Sequence, residues 1–261
     1  MKNITITLLF FCMFQMGAQE FTVDADLRQR FEYRHGFNTL FPDNAKPAAF
    51  VRQRARLNFN YSAEKLKLFI AVQDVSTWGD TRQILPADGN DSFMLFQAWA
   101  ELQLGTHWST KLGRQVISYD DQRIFGGLDW AMQGRFHDAA LLKYKKERTQ
   151  LDLGFAFSQQ GESILGTTYN IPGFFTYKSM QFVYFKQSWE QSSFSLLGLN
   201  TGFQRFAQED MTQADGVYYT HTVGSYFTFP IAKLKLSGST YYQFGEAYPV
   251  DESLSAYQLA L

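Results

Sequence analysis

Cysteine is nearly missing from this 261-residue chain: its one thiol, Cys12, lies within the first 18 residues. Those residues, 1–18, read as a secretory signal peptide, with Lys2 as the positive end, an apolar stretch over 4–14 and small residues Gly17 and Ala18 before the expected cut. Cys12 leaves with it, because bulky Phe11 stands where a lipoprotein signal needs a small residue. The mature chain then has no disulfide, thiolate metal site or cysteine nucleophile, although it is exported. Beyond residue 18 no apolar run approaches the roughly 18 residues that a spanning helix requires. Charge of one sign is missing too: 24 Lys and Arg meet 25 Asp and Glu, so no basic field exists and no nucleic-acid partner is expected. His35, His107, His137 and His221 are scattered without paired-ligand spacing, and no serine-centred nucleophile motif occurs, so neither a metal nor a cofactor is expected.

What the chain does have is alternation. Over residues 21–34 the odd positions Phe21, Val23, Ala25, Leu27, Phe31 and Tyr33 are apolar, while Asp24, Asp26, Arg28, Arg30, Glu32 and Arg34 at even positions are charged. Only a period of two separates them this way; a helix would spread both sets around its axis. Residues 51–61 repeat it, with Val51, Ala55, Leu57, Phe59 and Tyr61 opposite Arg52, Arg54, Arg56, Asn58 and Asn60. Similar runs over 65–75, 93–104, 108–117, 135–145, 149–158, 179–187, 194–204, 217–229, 233–244 and from 254 onward predict about twelve strands.

Short turns such as 62–64 and 147–148 alternate with longer polar connections such as 76–92, 118–134 and 159–177. Long strands, alternating loop lengths, 17% aromatic residues and the signal peptide predict an all-β fold, an antiparallel transmembrane β-barrel occupying residues 19–261. A soluble sandwich produces the same alternation, since it buries one face and wets the other. The chain ends at Leu261 within an alternating run, and an unclosed barrel would leave strand edges unpaired in lipid. The expectation is therefore either an incomplete barrel, the N-terminal fragment of a longer one, or a last strand that pairs unusually.

If the apolar side meets the lipid bilayer, Arg28, Arg30, Arg52, Arg54 and Arg56 line the lumen on two adjacent strands. Arginine stays protonated at any relevant pH and forks onto carboxylates, so this ladder needs anions. Lumenal Asp24, Asp26, Glu32 and Glu101 can supply them, giving a stiffening salt-bridge lattice; so can a passing anionic solute, because Arg and Lys rings are how pores favour anions. Both readings can hold together.

Residues 111–123, KLGRQVISYDDQR, continue through Ile124, Phe125, Gly126, Gly127, Leu128, Asp129 and Trp130 to a strand opening Arg135-Phe136-His137-Asp138-Ala139-Ala140. A Gly-Arg-Gln strand end, a Tyr-Asp-Asp-x-Arg loop, a Trp and a small-residue strand resemble the signature region of the alginate-export family of outer-membrane porins. The likeness is strongest over 111–144 and looser from the arginines at 52–56 to the strand at 218–229. It implies a monomeric barrel in a Gram-negative outer membrane, reached by Sec-dependent export, that passes alginate or other uronate oligosaccharides. It also implies a charged constriction containing Arg114, Asp120, Asp121, Arg123, Asp129 and Arg135, with Lys111 and Lys143 among the pore-lining cations.

The competing function is a secreted carbohydrate-active sandwich or barrel enzyme using Asp120 and Asp121. Adjacent residues usually point apart, whereas glycosidase carboxylates come from separate strands. The expectation is that the chain is not an enzyme. Gly126-Gly127 reads as a loop bend, because no Lys-Ser/Thr follows it as in a phosphate cradle.

Overall fold

The computed structural model describes residues 19–81, 83, 93–171, 175–207, 213–248 and 252–261; the expected signal peptide lies outside them. Twelve β-strands follow one another in a single sheet whose spatial order is the sequence order. They are β1 (Glu20–Arg34), β2 (Ala48–Ser62), β3 (Leu66–Thr77), β4 (Phe93–Gln103), β5 (Trp108–Gln115), β6 (His137–Lys146), β7 (Thr149–Phe157), β8 (Ser179–Ser188), β9 (Ser193–Phe206), β10 (Ala214–Ile231), β11 (Leu234–Ala247) and β12 (Glu252–Ala260). Strands of up to 18 residues exceed the usual five or six. No helix occurs among the described residues.

Short connections belong to one end of the hairpins and long ones to the other. Glu147 and Ala232 take positive φ, 50° and 54°, in the turns between β6 and β7 and between β10 and β11. This is the twist that two-residue hairpins require. The segment between β5 and β6 is longer, and β6 starts at His137 rather than 135. The reason is a backbone bond: the Arg135 amide donates to the Gly127 carbonyl at 2.8 Å, which closes residues 127–135 into a loop before the ladder begins.

The described residues divide into two compact units, one drawn from 1–100 with 127–136 and the other from 101–126 with 137–261. In the first, burial is inverted relative to a soluble protein. Phe21, Leu27 and Phe31 are 62%, 66% and 68% exposed, while Arg54 and Gln73 are each 1% exposed. Large apolar side chains ordinarily fill interiors and arginine ordinarily reaches water. Here the alternation leaves the greasy face exposed and covers the charged one.

In the second unit the outward face is again apolar, with Phe155, Val183, Leu196 and Val223 exposed. The other face carries an apolar cluster, in which Ile117 and Phe125 from the β5–β6 connection pack with Met180, Phe182, Tyr184, Leu197 and Leu199. Space for it comes from Gly154. That residue pairs directly with Phe182 across the β7–β8 ladder, and a Cβ there would lie 1.9 Å from the ring. Gly154→Ala must therefore displace Phe182 and is expected to destabilise the fold by about 1–3 kcal/mol, the usual result of overpacking. Gly161→Ala, with nothing within 4 Å of the added carbon, should be nearly neutral. Denaturant unfolding in detergent micelles checks both, and equal stabilities would contradict this packing.

Candidate functional site

Antiparallel register fixes which charged residues meet. Across β1 and β2, Arg28 faces Arg54, Arg30 faces Arg52, Asp26 faces Arg56 and Asp24 faces Asn58. Like charges directly opposite destabilise a ladder, so two consecutive Arg–Arg pairs demand counterions. Asp129 supplies one of them. Its Oδ2 accepts from Arg28 Nη2 at 2.9 Å and its Oδ1 from Arg54 Nη1 at 3.1 Å, so a single loop carboxylate bridges the opposed pair. Arg54 also donates to Asp26.

Carbonyl groups of the same loop cap further cations. Arg28 donates to the Asp129 carbonyl, Arg30 Nη1 to the Trp130 carbonyl at 3.1 Å and Arg54 Nη1 to the Met132 carbonyl at 3.5 Å. Gln73 Nε2 holds the Gln133 carbonyl at 2.8 Å. The same Gln73 receives Arg56 through its Oε1, at 2.9 Å from Nε and 2.6 Å from Nη2, and the Arg56 guanidinium lies 3.8 Å over the Phe96 ring. Residues 127–136 thus lie against the charged face of β1–β3, with Met132 fully buried. Each such contact is worth about 1 kcal/mol net, so the loop is held by their sum. Glu32 divides itself between Arg30 and Arg34. Among the described residues the Arg52 guanidinium has no hydrogen bond or ion pair, which leaves one cation of this face uncommitted.

The acids of the preceding segment hold other partners. Asp120, in a left-handed conformation at φ 48°, accepts from Tyr184 Oη at 2.9 Å, Lys186 Nζ at 3.1 Å and Ser195 Oγ at 2.5 Å. Tyr119 stacks on Tyr184 with centroids 3.9 Å apart, and its hydroxyl donates to Asp152 at 2.7 Å. Burial and the neighbouring Asp152 push the Tyr119 phenol up, so it stays a donor. Among the described residues Asp121 accepts only the Arg123 backbone amide, at 3.2 Å. Asp120 is thereby a loop anchor, and Asp120 and Asp121 share no partner.

The expected pore-lining set therefore separates. Arg28, Arg30, Arg52, Arg54 and Arg56 share the charged face of β1–β2. Lys111 and Lys143 share the corresponding face of β5–β6, where Lys143 pairs with Glu101 at 2.9 Å. Arg123 is exposed in the loop, and Arg135 closes that loop through its backbone. Arg114 differs from expectation. It falls on the alternate face of β5 with exposed Leu112 and forks onto Asp138 at 2.9 and 3.0 Å, because strand parity, not membership of the motif, sets its direction. Sequence reasoning missed Gln73, Lys186, Ser195 and Asp152; the only signal for them was an inward-parity polar residue within an otherwise apolar strand.

Donation from Arg28, with help from Arg54, holds the Asp129 carboxyl below its ordinary value. Its contribution to loop docking is therefore present above the unfolded carboxylate value of about 3.9 and is lost as pH falls through the depressed one. Asp129→Asn should loosen the loop at neutral pH in the same way. Faster amide hydrogen exchange across 127–136 checks this, and unchanged exchange in the variant would show that Asp129 does not hold the loop.

No characterised protein matches the chain in sequence. Among solved structures, OmpF of Salmonella typhi, in complex with daunomycin, aligns at 13% identity and a TM-score of 0.48 over 87% of this chain, which spans 66% of that one. The loop L8 deletion mutant of OmpT, an outer membrane protein of Vibrio cholerae, aligns at 14% identity and 0.38 over 89% of this chain and 84% of its own. The family model for alginate export matches residues 19–157. That match takes in just over half of the sequence, and the chain belongs to the alginate export family.

Proposed function

We propose that the chain builds the wall of an outer-membrane channel that passes anionic solutes, alginate or other uronate oligosaccharides among them. The observation that carries this reading is the pairing of Arg28 with Arg54 and Arg30 with Arg52 on the face opposite the exposed apolar side chains. Six guanidiniums, of Arg28, Arg30, Arg34, Arg52, Arg54 and Arg56, stand there with five carboxylates, of Glu20, Asp24, Asp26, Glu32 and Asp129. The surplus is positive, and Arg52 is free to meet a solute. Docking of the 127–136 loop neutralises part of the ladder, leaving weak, exchangeable anion sites instead of one tight trap.

Exposed aromatics support a bilayer setting: Tyr33, Trp78 and Phe157 mark the long-loop ends of their strands, and Trp108 and Trp189 the short-turn ends. In this reading the protein reaches the membrane by Sec-dependent export, works as a monomer and is a passive conduit without catalytic chemistry. Asp120, with both oxygens engaged, fits an anchor better than a catalytic acid.

Reversal potentials in planar bilayers under a potassium chloride gradient test the proposal. Chloride should be preferred, Arg52→Ala should lower that preference, and Asp129→Asn should raise it, since it removes the opposite charge. The effects should be larger well below 0.1 M salt, where the Debye length exceeds about 10 Å. Preference for potassium, insensitive to both substitutions, would overturn it.

A further inference from the structure

A polar cavity of about 370 Å³ lies at the short-turn ends of β4–β7, within the second unit and apart from the arginine ladder; Glu101, Gln103, Lys143, Lys145, Gln150 and Asp152 line it. Its volume falls in the range of small-molecule sites, roughly 300–1,000 Å³. One acceptor in its wall is unspent. Asp152 is 2% exposed and takes Tyr119 Oη at 2.7 Å and Gln150 Nε2 at 2.8 Å, both on Oδ2, while Oδ1 has no hydrogen-bond partner among the described residues. A buried carboxylate oxygen without a donor is costly, and such groups in native folds ordinarily have a partner. Glu101 is similarly half-used: Ser109 Oγ at 2.7 Å and Lys143 Nζ at 2.9 Å both donate to its Oε1.

We infer that this cavity is a subsite for one pyranose unit bearing a carboxylate, a uronate residue of a sugar chain. The charges choose among ligands. Lys143 and Lys145 oppose a simple cation, and Glu101 and Asp152 oppose a simple anion. A uronate satisfies both pairs: its hydroxyls donate to Asp152 Oδ1 and Glu101, its carboxylate meets Lys145, and the Gln103 and Gln150 amides serve the remaining ring oxygens. Mixed donors and acceptors in a wet, charge-balanced cavity recognise a polyol by geometry, whereas the arginine ladder attracts by field alone. The inference rests on the channel reading for its solute class and differs from it in place and in residues.

Calorimetric titration of the full chain in detergent micelles with a mannuronate disaccharide tests it, with sodium acetate and a neutral mannose disaccharide as comparison probes. The mannuronate disaccharide should bind and acetate should not. Asp152→Asn should weaken binding about tenfold or more, the effect of one lost charged hydrogen bond. Lys145→Ala should weaken the uronate while leaving the neutral disaccharide unaffected. Because Asp152→Asn also touches the Tyr119 contact, exposed Lys145 decides the matter if that variant misfolds. Absence of mannuronate binding to the parent chain, equal binding by folded Asp152→Asn, or a Lys145→Ala variant that binds both disaccharides as before would each overturn the subsite. Chloride preference in sugar-free bilayers is read separately, so a failed subsite with an intact anion preference, or the reverse, tells the two proposals apart.

Discussion

An extended strand must send successive side chains to opposite faces, and every other feature of this chain follows from that constraint. Once Phe21, Leu27, Phe31 and Leu57 occupy one face of the β1–β2 ladder, the charged residues between them have only the other. Register then sets arginine directly against arginine at Arg28–Arg54 and Arg30–Arg52. Such a surface cannot stand alone. It recruits Asp26 from its own strand and Asp129 from a loop about a hundred residues away, and the cost of packing like charges becomes the force that seats the loop.

The two halves of the β5–β6 connection show different solutions to the same placement problem. Residues 117–126 dock by burial: Ile117 and Phe125 join an apolar cluster, and Asp120 pins the turn through Tyr184, Lys186 and Ser195. Residues 127–136 dock by charge and by backbone carbonyls on guanidiniums. The first arrangement is dry and responds to volume, as the Gly154–Phe182 fit illustrates. The second is half-wet and responds to pH and salt, because Asp129 remains 69% exposed while Arg54 is 1% exposed.

Much of this was legible in the sequence, because period two is a local signal. The strands, the shared face of the β1–β2 arginines and the loop lengths all follow from neighbours within ten residues. What was not legible depends on contacts between distant segments. Nothing local to Asp129 distinguishes it from Asp121, yet one bridges two arginines and the other caps its own loop. Arg114 was misplaced for the opposite reason: grouping it with a motif overrode the parity that Leu112 and Asp138 obey. The carbonyls that hold Arg30 and Gln73 have no sequence signature at all, since every residue carries one.

The central claim is that water lies on the arginine side of the sheet and hydrocarbon on the other. Single cysteines introduced one at a time from 23 to 31 into a Cys12-free chain, folded in lipid vesicles, measure this directly. Even positions should react with a membrane-impermeant maleimide, and odd positions should be shielded from it and carry fluorophores quenched by lipid-borne spin labels. Reaction at the odd positions, with the even ones protected, would contradict the account.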